Sequence, residues 1–134
     1  MEIENTIKKF LTREKIAFHE HPFPNLKVLA CDIDGNPYNI KIFEKSGIFK
    51  VKSFTATYDE FLVLSKMPEI NRLNQTMFGT FSWYEKNHYA YLLSCELDQL
   101  CTGGITINEQ LVEDVFVEVR KGVKALEQIL TWKK

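Results

Sequence analysis

Hydrophobic positions change their period several times along the chain, and each change marks an expected element. Over residues 1–16, Ile3, Ile7, Phe10 and Leu11 recur at helical spacing, with Glu2 and Glu4 early and Lys15 late, as the helix dipole favours. This predicts a short amphipathic helix. The next stretch, Phe18-His19-Glu20-His21-Pro22-Phe23-Pro24-Asn25, holds two prolines that block a continuing helix and bias their predecessors to extended geometry. It is expected to be a connector. From Leu26 to Thr55 the pattern becomes alternating and rich in Ile, Val and Phe, broken at Asp34-Gly35-Asn36-Pro37 and Lys45-Ser46-Gly47. Three antiparallel strands in a meander follow. Pairing Ile42 with Val51 puts Ile40, Ile42, Phe49 and Val51 on one face and Lys41, Lys50 and Lys52 on the other, with no acidic residue among the lysines' immediate strand neighbours. A four-residue turn at 34–37 then aligns Leu29, Cys31 and Ile33 with Ile42, Ile40 and Tyr38. A one-residue slip would mix lysines into the apolar face.

Residues 58–77 carry Phe61, Leu62, Leu64, Ile70, Leu73 and Met77, mostly three and four apart and interrupted by Met67-Pro68. Proline suits a first helical turn, so a helix is expected over about 68–77, with the part before it unassigned. Alternation returns over Phe78 to Glu85 and His88 to Glu96 around Lys86-Asn87, a second hairpin. Thr106-Ile107-Asn108-Glu109 has the form of a capping box and opens a long helix to about Trp132, with the stripe Val112, Val115, Phe116, Val119, Val123, Leu126 and Leu130. The expected order is αβββαββα. It describes an α+β protein, one domain over residues 1–134, with an antiparallel sheet and helices packed on one face.

Charge narrows the function. The 134 residues include 17 basic and 18 acidic side chains, a formal net charge of −1, and this near balance argues against nucleic-acid and membrane partners. Three cysteines, Cys31, Cys95 and Cys101, do not make the framework of a small secreted domain and fit reduced thiols. The first residues are acidic where a signal peptide is basic, and apolar runs such as Phe61 to Leu64 fall far short of the roughly 20 residues of a membrane span. A cytoplasmic protein is expected. Ten Phe, five Tyr and two Trp are an unusual aromatic load, and Phe78, Phe81, Trp83, Tyr84, Tyr89 and Tyr91 cluster in one window.

Enzyme-like strings are incomplete. Val28 to Asn36 is an apolar strand ending in Asp32-x-Asp34-Gly35, similar to the first motif of haloacid-dehalogenase-type phosphotransferases, in which the first Asp is the nucleophile and the second a general acid. Asn36 stands where Thr or Val is usual, and no downstream Asp-Asp pair supplies magnesium ligands. A hairpin turn explains the string better. In an EF-hand the glycine would stand at the sixth loop position, and here it stands at the fourth. His19 and His21 lack zinc spacing with Cys95 and Cys101. Cys31 falls on the inward face of its strand, where burial raises a thiol pKa. Met77 to Trp83 lacks the basic residue and ring spacing of an RNA-recognition sheet. Gly103-Gly104 before the last helix fits a tight loop as well as an anion site. No catalytic residue, metal or cofactor is assigned.

Together, the element order, Ile70-Asn71-Arg72-Leu73-Asn74 leading into Phe78-Gly79-Thr80-Phe81-Ser82, and Gly103-Gly104-Ile105-Thr106 before a long C-terminal helix resemble the YbjN-like family from about Leu26 onward. The resemblance implies a type III secretion chaperone-like fold. Members of that family are described as proposed regulators without established catalytic residues, and secretion chaperones of the related fold bind extended effector segments as dimers. These likenesses imply a non-enzymatic, chaperone-like or regulatory module, homodimeric, binding a partner protein segment on apolar and aromatic surface. The residues expected to form that surface are Lys41, Phe43, Lys50, Lys52, Trp83, Tyr84 and Trp132, with Phe54 also off the core stripes. The alternative is a small-molecule-binding or phosphohydrolase-type enzyme using Asp32 and Asp34.

Overall fold

A computed structural model describes residues 2–76, 80–87, 90–102, 104 and 106–131. The side chains of residues 76–90 lie outside that description. Helix α1 (Glu2–Arg13) leads into four strands, β1 (Phe18–Phe23), β2 (Leu26–Ile33), β3 (Asn36–Phe43) and β4 (Ile48–Asp59). Helices α2 (Glu60–Ser65) and α3 (Met67–Thr76) follow, then β5 (Thr80–Asn87), β6 (Ala90–Leu100) and α4 (Glu109–Thr131). The strands form one antiparallel six-stranded sheet in the order β1-β2-β3-β4-β6-β5.

The expected connector at 18–25 is therefore an edge strand. An edge tolerates Pro22, which has no N–H to give to a ladder. The β1–β2 hairpin closes with the two residues Pro24 and Asn25 between the paired Phe23 and Leu26. The residues before Met67 also take form, as α2. Asp59 caps that helix by accepting a hydrogen bond from the Phe61 N–H at 3.0 Å.

Two expected registers are corrected. The β2–β3 turn is the two-residue pair Asp34-Gly35, with φ of 54° and 83°, as a type I′ hairpin requires. It pairs Ile33 with Asn36, Cys31 with Tyr38 and Leu29 with Ile40. In the next hairpin Ile42 pairs with Phe49 and Ile40 with Val51. Both pairings differ from expectation by two residues, so every side chain keeps its expected face. Gly47, at φ 67°, ends the β3–β4 loop so close to Thr102 that an added Cβ would collide with that side chain.

All the described helices lie on one face. On that inner face Leu29, Ile40, Val51 and Leu93 are wholly buried against Val112, Val119 and Leu126 of α4 and Ile7 and Leu11 of α1. The whole expected apolar stripe of α4 is buried. Phe116 joins the two helices to the sheet, its ring centroid 5.2 Å from Phe10 and 5.8 Å from Tyr38. The α4 cap is Asn108, whose Oδ1 accepts from the Leu111 N–H at 2.8 Å, in place of the expected Thr106 box. Where β4 bulges between Phe54 and Thr57, the Thr55 hydroxyl accepts from the Leu93 N–H at 3.0 Å and replaces the lost ladder partner.

Ion pairs fasten α1 to β1 and β2. The Glu44 carboxylate caps its start, accepting from the N–H groups of Ile3 and Glu4 at 3.2 and 2.9 Å. Buried Glu4 accepts from Lys8 at 2.6 Å and Lys27 at 2.8 Å, and both lysines also reach Glu20 on β1. Burial raises the Glu4 pKa, but hydrogen bonds from Lys27 and Lys8 outweigh it and hold the carboxyl below its usual value. The same two lysines lower the Glu20 pKa.

Candidate functional site

Alternation in β1–β4 and β6 gives the sheet a second, outer face, opposite the helices. Residues paired across antiparallel strands share a face, so the registers arrange its side chains in rows. At one end runs an apolar row: Phe23 pairs with Leu26, Phe43 with Ile48, and Ile48 with Leu100, while Leu26, one beyond the Lys27–Ile42 pair, lines up with Phe43. Phe23 is 55% and Leu100 48% exposed, and the middle three are half-buried. At a strand spacing of about 4.8 Å the five strands span roughly 19 Å.

The adjoining row is polar. His21 pairs with Val28, Val28 with Lys41, Lys41 with Lys50 and Lys50 with Asp98. Beyond it come His19, Ala30, Asn39, Lys52 and Glu96. The Lys50 ammonium lies 3.6 Å from Asp98 and 5.7 Å from the Phe43 ring centroid, and Lys52 lies 5.5 Å from that of Phe54. Acidic neighbours, absent from the expected meander, thus reach the lysines from β6. Its pairing with β4 spans two helices and a strand in the chain, beyond the reach of local patterning.

Four of the seven expected site residues, Lys41, Phe43, Lys50 and Lys52, meet on this face. Trp83 and Tyr84 occupy β5 positions paired with Leu93 and Leu92, but their side chains lie outside the described residues. Trp132 also lies outside them. Sequence reasoning missed Phe23, Leu26, Ile48 and Leu100. A short edge strand closed by a proline turn was the signal that could have found the first two.

The alternative site sits elsewhere. A cavity of about 600 Å³ between α1, β2 and α4 is lined in part by Cys31, Asp32, Asp34, Tyr38, Phe116 and Arg120. Asp34 serves the β2–β3 turn, and its carboxylate forms an ion pair with Arg120 of α4. Burial, followed by the Asp32 charge, pushes the Cys31 thiol up to about 11. Burial, followed by Glu118 and Glu96, takes Cys95 to about 12. Neither sulfur is poised as a thiolate. Among the described residues no group of three or more His, Cys, Asp or Glu side chains could hold a metal ion, and no helix is long and apolar enough to cross a membrane.

Comparison with solved structures supports the fold. YbjN from E. coli, a proposed transcription regulator, superposes with a TM-score of 0.62 at 12% identity, over 92% of this chain and 89% of YbjN. An uncharacterised protein from Methanothermobacter thermautotrophicus superposes with a TM-score of 0.68 at 14% identity, over 94% and 95% of the two chains. No protein-family model matches the chain, and no curated protein matches its sequence. The chain has the YbjN-like α+β fold.

Proposed function

We propose that the chain is a non-enzymatic, cytoplasmic protein-interaction module that holds a segment of a partner protein on the outer face of its sheet. One observation carries the reading: every described helix packs on the inner face, leaving an apolar row five strands wide beside lysines on the face opposite. Likeness of fold to a proposed regulator agrees with a role exerted through binding. Asp34, engaged by its turn and by Arg120, and the raised thiol pKa values favour binding over catalysis. A homodimer belongs to the same reading, because α2 presents Phe61, 79% exposed, and Leu64, 48% exposed, apart from the outer face.

The test is affinity capture from the native organism with the wild-type chain, a Phe43→Ser/Ile48→Thr variant and, as control, Phe61→Ser. Proteins held by the wild type and the control should be lost from the outer-face variant, whose thermal midpoint verifies folding. Identical captured sets would contradict the proposal. For the dimer, light scattering at micromolar concentration should exceed the 15.7 kDa of one chain. A value equal to one chain contradicts that part.

A further inference from the structure

Lys41 and Lys50 stand directly opposite each other on β3 and β4, on the face that bears no described helix. Like charges in a directly opposed cross-strand pair work against folding. Asp98 relieves Lys50 from 3.6 Å, whereas Lys41 forms no ion pair among the described residues. A glutamate at 41 would give the isolated fold a better pair, so the fold itself does not account for lysine there. The pair also borders the apolar row, and Lys50 leans over its central ring, Phe43.

We propose that Lys41 and Lys50 form a carboxylate-binding seat, which holds an Asp or Glu of the partner segment while that segment's apolar side chains cover Phe23, Leu26, Phe43, Ile48 and Leu100. This rests on the docking reading above and adds the partner's chemistry. A carboxylate between the two ammonium groups relieves their repulsion where it is least shared with Asp98. Glu96 and Asp98 at the β6 side of the same face, and a formal net charge of −1, oppose a continuous polyanion such as nucleic acid or an anionic bilayer. A second copy laid face to face about a two-fold axis parallel to the strands through Phe43 would set Lys41 on Lys41. The occupant is therefore a different protein whose segment is acidic and apolar.

Two 14-residue peptides with the same leucines, one flanked by glutamates and the other by lysines, test the seat by titration into the 15N-labelled full chain. The glutamate peptide should shift the amides of Lys41, Phe43 and Lys50, and the lysine peptide should not. Lys41→Glu should bind the glutamate peptide about tenfold more weakly, accept the lysine peptide, and raise the thermal midpoint by about 2 °C. Lys41→Gln should fall between. Equal binding of both peptides to the outer face would overturn the carboxylate seat and leave the docking reading standing. Absence of outer-face shifts with either peptide would overturn both. Tighter binding through Lys41 to phosphatidylserine vesicles than to the glutamate peptide would replace the seat with a lipid surface.

Discussion

The two faces of the sheet are written by the same strands and do opposite work. In β3, Ile40 and Ile42 point inward and are buried to 1% exposure or less, while Lys41 and Phe43 on the alternate positions face outward and stay half-exposed. The inner face is apolar and covered by α1 and α4, whereas the outer face places an apolar row next to opposed lysines and has no described helix over it. A protein that needed only to fold would not require that outer pattern. Covering one face and leaving charge and rings on the other concentrates stability in the first and leaves the second exposed, as the proposed docking requires.

The sharpest contrast should come from truncating one residue on each face. Leu93→Ala, at a wholly buried inner position, should cost about 2–5 kcal/mol in chemical denaturation. Val28→Ala on the outer face of β2 should cost about 1 kcal/mol or less, because its side chain is already partly in water. Equal losses would erase the distinction between the faces.

A smaller effect tests how α1 is fastened to β1 and β2. Glu4 and Glu20 titrate below their ordinary value of 4.5 in the folded chain, so the stability they add is present above that pH and is lost as pH falls through their folded values. Lys8 and Lys27, raised above 10.5, first by hydrogen bonds to Glu20 and Glu4 respectively, lose theirs only as pH climbs through their own folded values. Thermal midpoints of the wild type should therefore drop more steeply below about pH 4.5 than those of a Glu4→Gln/Glu20→Gln variant. Parallel acid limbs would show that the cluster does not tie α1 to the sheet.

Much of this architecture was legible in the sequence, and the failures have specific causes. Faces survive an error of two residues in register, so the inner and outer sets of β2, β3 and β4 came out correctly although the turn at Asp34-Gly35 is shorter than expected. The α4 stripe was legible because it repeats over about five turns. The Asn108 cap lay within the expected box but at a different position, since several polar residues there can accept from the first turn. Prolines at 22 and 24 disguised β1, because only tertiary context shows that a strand lies at an edge. The pairing of Lys50 with Asp98 depended on β6 returning beside β4, which no local pattern specifies. Of the candidate site, the lysines and Phe43 were visible as alternation, while the row that completes it required the sheet order.

Side-chain footprinting of the full chain, free and with the protein it captures, tests the central claim most directly. Carbene labelling should modify Phe23, Phe43, Ile48 and Leu100 in the free chain and lose those modifications in the complex, while labelling of the outward side chains of α2 is the same in both states. Protection confined to Phe61 and Leu64, with the outer row labelled equally in both states, would contradict it.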